Sequence, residues 1–372
     1  MDLHLYKDNI KKTGFPLEFR ISETLRERKW SVINSRYYID DQSGTVREID
    51  IVAYKTRKTQ HFHVFTVLII SCKKNEQNLW ALLTKKINEN DLNMDWKPTH
   101  VWTNNKAINF MMSNKDWKNN YYDYAAKYGV KEVLRVPNEH IFAFQEMNIA
   151  SGKPQNDSSI FGSITSLMKA QAYELSSLPK RKTTNCIYQF NLLSVIDFEL
   201  IMLQFEKKDV ECCEVEQGHY IGRYIINKEE TFAHIHFIKE SSFDRILSDY
   251  DLHHDANFSF FKELHKTFYT DVLEDFRKID WFTEEFYAEI QRDISFKIKN
   301  FHNKSEEPKW INIYWNSGKS IIELGLILTE EEIALLNSDL RILDRAKKLL
   351  NKFYFYKGSF EFTVIDPNDV PF

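Results

Sequence analysis

The chain has 372 residues, 43% hydrophobic and 15% aromatic, enough for two domains or one elaborated domain around a sizeable core. Its 10 glycines and 8 prolines exclude long low-complexity segments, and a formal net charge of −4 gives no global signature of a nucleic-acid binder. Residues 1–100 are net basic and the remainder net acidic, which points any phosphate-binding face to the first third.

In chain order, Phe15, Leu17, Ile21, Leu25 and Trp30 recur at helical spacing, with Gly14 and Pro16 at the entry. Trp30 to Asp40 alternates and is rich in β-formers. Asp40-Asp41-Gln42-Ser43-Gly44 reads as a hairpin turn, and Val46 to Lys55 as the returning strand. His61 to Cys72 is a third strand. Its run Val64 to Ile70 predicts a central position covered on both faces. Asn78 to Asn88, with Leu79, Trp80, Leu82, Leu83 and Ile87, reads as a helix, giving the order helix, three strands, helix. Lys115 to Tyr128 is a further helix, closed by Gly129. The polar, turn-rich stretch Ala150 to Ser159 is the clearest break and divides a domain at 1–150 from a region at 160–372.

Beyond the break, Ile160 to Leu178 reads as helix, and Cys186 to Phe205 and Tyr220 to Ile238 as strands. The alternation in Phe232 to Ile238 marks a half-buried strand. Ser241 to Phe301 is helical. Trp310 to Trp315 and Ser320 to Leu328 form a hairpin about Ser317-Gly318, and Thr329-Glu330-Glu331-Glu332 is a capping box opening a helix to about Lys352. Four cysteines, Cys72, Cys186, Cys212 and Cys213, are too few for a disulfide framework and imply a reducing setting. The first residues lack an apolar signal segment and Val64 to Ile70 is too short for a membrane span, so a cytoplasmic protein with no membrane partner is expected.

Two segments carry chemistry: Arg47-Glu48-Ile49-Asp50-Ile51-Val52-Ala53 and Leu68-Ile69-Ile70-Ser71-Cys72-Lys73-Lys74. Side chains alternate along a strand, so Glu48 and Asp50 share a face, and Ser71 and Lys73 share a face from which Ile70 and Cys72 point away. With Glu18 on the upstream helix, the pattern resembles the PD-(D/E)xK nuclease superfamily, the restriction-endonuclease-like fold. It is most similar to bacterial nuclease-like proteins with a Gly-aromatic-Pro-Leu-Glu helix start, an Arg-Glu-Ile-Asp strand and a Glu-Cys-Lys strand followed by Trp. Here these read Gly14-Phe15-Pro16-Leu17-Glu18, Arg47-Glu48-Ile49-Asp50 and Ser71-Cys72-Lys73, with Trp80 beyond. The resemblance covers roughly residues 10–85.

The resemblance implies an α/β fold with a mixed central sheet flanked by helices, followed by an α+β C-terminal portion. It implies a metal-dependent nuclease hydrolysing DNA in bacterial defence, with a homodimer or defence-complex partner. A hard divalent cation, Mg²⁺ or Mn²⁺, would supply the nucleophilic water and stabilise charge at phosphorus. Residue by residue, Asp50 matches the first metal ligand, the Cys72 carbonyl the main-chain ligand, Glu18 the helix glutamate and Lys73 the catalytic lysine. The chain departs from the pattern at Ser71, where the family carries its second acid, and a hydroxyl is a neutral, weak ligand. Glu48 is one replacement. Glu18 is another, with Ser71 holding a metal-bound water. The alternative is a module that no longer hydrolyses and serves as a nucleic-acid-binding or protein-interaction scaffold. The acidic, aromatic C-terminal half fits either a partner-sensing surface or an ordinary core.

Other motifs rank lower. Ser317-Gly318-Lys319-Ser320 lacks the first glycine of a phosphate loop and reads as a turn. His234 and His236 share a strand face without an evident third metal ligand, and His253-His254-Asp255 is similar. Cys212-Cys213 reads as small hydrophobes on a strand, Tyr121-Tyr122-Asp123-Tyr124 as packed aromatics and Lys180-Arg181-Lys182 as a solvated loop.

Overall fold

A computed structural model describes residues 3–207, 209–302 and 311–365. It is a mixed α/β protein that divides into two compact units, residues 1–105 with 114–262, and residues 106–113 with 263–372. Among the described residues, no helix is long and apolar enough to cross a membrane.

The first unit opens with α1 (Leu3–Ile10) and α2 (Phe15–Glu27). Pro16 sits in the first turn of α2, where its missing N–H costs nothing, and Leu17, Ile21 and Leu25 bury one stripe of the helix. The strands β1 (Ser31–Ile39), β2 (Val46–Lys58) and β3 (His63–Lys74) follow as an antiparallel meander. The β1–β2 turn is tied by Asp40, whose carboxylate accepts the N–H groups of Gln42 (3.1 Å) and Ser43 (2.9 Å), and Gly44 supplies φ +67°. The Lys169 ammonium 2.9 Å away, together with these N–H groups, holds the Asp40 carboxyl well below the usual range.

The segment expected as a helix after β3 is instead β4 (Asn78–Lys86). Trp80, Ala81 and Leu82 are all fully buried in consecutive positions, as happens when a strand is central and covered on both faces. An apolar run of this length fits either a buried strand or a helix by periodicity alone. The chain continues through β5 (His100–Thr103), α3 (Lys106–Met112, in the second unit), α4 (Trp117–Tyr128), β6 (Glu139–Asn148) and α5 (Ser158–Arg181). Gly129 ends α4 at φ 105°, as its position predicts. Next come β7 (Cys186–Asp197), β8 (Leu200–Glu206), β9 (Asp209–Glu214), β10 (Gln217–Ile226), β11 (Glu229–Lys239) and the long α6 (Glu240–Thr270).

The main sheet runs β1-β2-β3-β7-β11-β10, with β5 also against β7. Strand β7 is parallel to β3 from His63↔Cys186 to Lys74↔Asp197, and parallel neighbours require a crossover, here through α5. The expected division at 150–160 therefore falls inside the first unit. The turn-rich stretch is the approach to α5, and β7 beyond it pairs with β3 before it. After β3 the chain forms β4 and β5 before any helix, then α3, α4 and β6, and the crossover helix is α5; β4 and β6 join the later β8 and β9 in a second sheet, β6-β4-β8-β9. The two sheets share one core. Trp80 meets Phe237 edge to face with centroids 5.8 Å apart, and a Cβ on Gly218 would stand 2.4 Å from Leu82 Cδ1.

The second unit completes the chain with α7 (Phe276–His302), β12 (Ile311–Asn316), β13 (Ile321–Leu326), α8 (Glu330–Ser338), α9 (Leu340–Tyr354) and β14 (Phe360–Val364). Residues of α6 from Glu263 onward also belong to it. β12–β13 is the expected hairpin, Trp310 lying outside the described residues, and β14 adds in parallel to β13. The capping box at Thr329 and Glu332 is present, but the expected single helix is two. Asp339 is extended, ends α8 and caps α9 by accepting the N–H groups of Arg341 and Ile342.

Candidate active site

The antiparallel ladder of β2 and β3 ends at Ile51↔Ile70, and Asp50 and Ser71 follow immediately beyond it on the two strands. The Cys72 N–H donates to Asp50 Oδ2 at 2.6 Å, which fixes the carboxylate against the strand. Burial pushes the Asp50 carboxyl above its ordinary value, and Glu48 adds to the rise. The Cys72 N–H, the Lys73 ammonium and the Ser71 hydroxyl pull it back down. The carboxyl of Glu18, on the first turns of α2, is also raised, first by burial and then by the charges of Asp50 and Glu48, with Lys73 opposing. Burial, Asp50 and Glu18 together raise the Cys72 thiol. Three elements thus bring Glu18, Glu48, Asp50 and Lys73 within one another's electrostatic reach.

Position 71 is interior. Ser71 is 1% exposed and pairs in parallel register with Ser194, itself fully buried, whose hydroxyl lies 2.9 Å from that of Ser163 on α5. A small hydroxyl therefore stands in a closed layer where the resemblance expects an ionised acid. The donor types at the site, carboxylates and a backbone carbonyl, suit a hard cation. Their placement does not make a ready cage: among the described residues no group of three or more His, Cys, Asp or Glu side chains could hold a metal ion. The expected metal set of Asp50, Glu18, Glu48 and the Cys72 carbonyl is in that sense incomplete. Neighbouring cations are engaged elsewhere. Lys74 Nζ donates to the Lys11 carbonyl at 2.9 Å, and Arg20 pairs with Asp197 at 3.1 Å and with Glu240.

A separate polar seam runs along the same sheet, and the sequence pattern shows only part of it. His219 of β10 is the missing neighbour of His234 and His236, facing His236 across the β10–β11 ladder. Its Nδ1 lies 2.9 Å from His234 Nε2, and its ring stacks on His236 with centroids 4.2 Å apart. The half-buried strand expected at Phe232–Ile238 is thus covered on both faces. Farther along the seam, Asn257 donates to Thr66 at 2.8 Å and to Gln189 at 3.2 Å, and accepts from Tyr121 at 2.5 Å. His254 and His253 of α6 bond to Thr66 and Tyr121. Burial lowers every one of these histidines, His234 to about 4, His253 to about 3 and His254 to about 4. They are neutral structural groups, and they form no metal cluster.

The remaining motifs take structural roles, with one correction: Lys180 and Arg181, expected in a solvated loop, form the last turn of α5, where Arg181 pairs with Glu174 at 2.5 Å. Ser317-Gly318-Lys319-Ser320 is a turn in which Lys319 pairs with Glu361 at 2.9 Å. Cys212 and Cys213 lie exposed on β9, and Tyr121 and Tyr122 are buried. No family model, no curated protein and no solved structure matches this chain.

Proposed function

We propose that the first unit is a nuclease-type domain of the restriction-endonuclease-like kind that acts on the phosphodiester backbone of DNA with a divalent cation, Mg²⁺ or Mn²⁺. One observation carries this reading: Glu18, Asp50 and Lys73, far apart in sequence and matched to the motif, lie close enough that Asp50 and Lys73 act on the Glu18 carboxyl and Lys73 on that of Asp50, which the Cys72 N–H holds at 2.6 Å. Two raised carboxyls facing each other favour a bound positive charge, and Lys73 supplies an ammonium suited to a phosphate oxygen. The free cysteines support a reducing, cytoplasmic compartment.

A second reading is favoured by the interior position of Ser71 and the incomplete ligand group: the module binds nucleic acid or a protein partner without cutting. Incubating plasmid, linear and single-stranded DNA, and RNA, with the protein and Mg²⁺ or Mn²⁺ separates the two. The nuclease reading expects cleavage that an Asp50→Ala/Lys73→Ala variant lacks. Cleavage no greater than that variant's, with DNA still shifted on a gel, would leave the binding module in its place.

A further inference from the structure

Helices α7, α8 and α9 of the second unit frame a groove of about 870 Å³ that no part of the Asp50 centre lines. Its cations are Arg292, Lys297, Arg341, Arg345 and Lys348, and its carboxylates are Asp293, Asp339 and Asp344. Each carboxylate already has a cation. Asp339 caps α9 and pairs with Lys297 at 2.6 Å, Asp344 pairs with Lys348 at 2.6 Å, and Asp293 lies 3.8 Å from Arg345. Arg292 and Arg341, both exposed, have no ion-pair partner among the described residues. Between these cations Phe296 and Phe301 stand 69% and 50% exposed on α7.

We propose that this groove binds single-stranded nucleic acid, its guanidinium groups taking phosphates and its phenylalanine rings taking bases. Uncompensated arginines match phosphate with planar, bidentate geometry. The exposed Phe296 ring beside them offers a flat face on which any base can stack, the combination that recurs in sequence-tolerant single-strand binders. An acidic polypeptide fits less well. Its apolar anchors need a concave apolar pocket, whereas Phe296 is 69% exposed. The site is independent of hydrolysis at Asp50.

The test is fluorescence anisotropy with a labelled oligothymidylate of about 12 nucleotides. An Asp50→Ala background keeps cleavage from consuming the probe. The parent is expected to bind with strong salt dependence. Arg292→Glu/Arg341→Glu is expected to weaken binding at least tenfold and to reduce the log–log salt slope by about 1.4. Phe296→Ala and Phe301→Ala should each weaken it about five- to a hundredfold. Arg292→Lys/Arg341→Lys, which keeps both charges, should retain most of the salt slope. Thermal melting of each variant at the parent's midpoint establishes that the fold is intact. No binding by the parent would overturn the proposal, as would affinity unmoved by charge reversal. Polyglutamate competing as well as the oligonucleotide, with both phenylalanine variants unaffected, would make the groove an acidic-polypeptide site instead.

Discussion

Two polar groupings on the main sheet differ in kind. One, Glu48, Asp50 and Lys73 with Glu18 of α2, lies in a partly exposed setting where acids outnumber bases. The other, Thr66, Gln189, Asn257, Tyr121 and the histidines, forms a buried network. Its groups satisfy one another, apart from His219 Nε2 and His253 Nδ1, which have no partner among the described residues. The difference teaches that a cluster of titratable side chains is not by itself a reactive centre. The seam holds more such residues, yet its ionisation is suppressed and its hydrogen-bonding capacity is largely used up within the fold. The Asp50 centre gathers three carboxyl groups about one ammonium, and such an excess of acids is what a cation can use.

Substitutions should therefore separate activity from stability. The largest effect is expected for Asp50→Ala or Lys73→Ala, each lowering cleavage on the order of a hundredfold or more while leaving the urea midpoint unchanged or raised. A parallel loss of stability would place these residues with the seam. Next is Ser71→Glu, which puts a carboxylate into the closed layer of Ser194 and Ser163. A cost of roughly 3 kcal/mol or more in urea unfolding is expected. A stable Ser71→Glu variant with raised activity would show instead that position 71 opens to the site.

Asn257→Ala removes one buried partner each from Thr66, Tyr121 and Gln189, which keep His254, His253 and Asn191, and should cost about 1–3 kcal/mol with cleavage unchanged. Acid should expose the seam as well. His234, His253 and His254 titrate below their ordinary value in the folded chain, so the unfolded state binds more protons. Their contribution to stability is complete above about pH 6.5 and is lost as pH falls toward 4. Asp50 and Glu18 work in the other direction, since raised carboxyls favour the folded state at low pH and lose that contribution as pH rises. A urea midpoint that declines from pH 7 to pH 5, and declines less in a His254→Gln variant, is the expected result. The smallest effect is expected for Ser71→Ala, under about 1 kcal/mol, since it removes one hydroxyl without introducing charge.

Much of this architecture was legible in the chain. The helix from Phe15, the hairpin at Asp40 to Gly44 and the central strand through Ile70 each carry a single unambiguous pattern, and with them came Glu18, Asp50 and Lys73. The strand at Trp80 was misread because a doubly covered strand has no alternation to distinguish it from a buried helix turn. The division between units was illegible for a different reason. It falls within α6, an unbroken helix with no change of composition, while the turn-rich stretch before Ser158 merely leads into a crossover. His219 had a readable signal. Asn227 and Lys228, both with positive φ, form a two-residue turn, and that turn alone fixes His219 opposite His236. The interior position of Ser71 depends on β7 and α5, far along the chain, and no local pattern announces it.

The central claim, that Glu18, Asp50 and Lys73 form one electrostatic centre, is tested most directly by a carbon-detected NMR titration of the side-chain carboxyls in the parent and in Lys73→Ala. Asp50 and Glu18 should titrate above ordinary carboxyl values in the parent, and both should rise further once the ammonium is gone. Two carboxyls with ordinary values that ignore the loss of Lys73 would contradict the account.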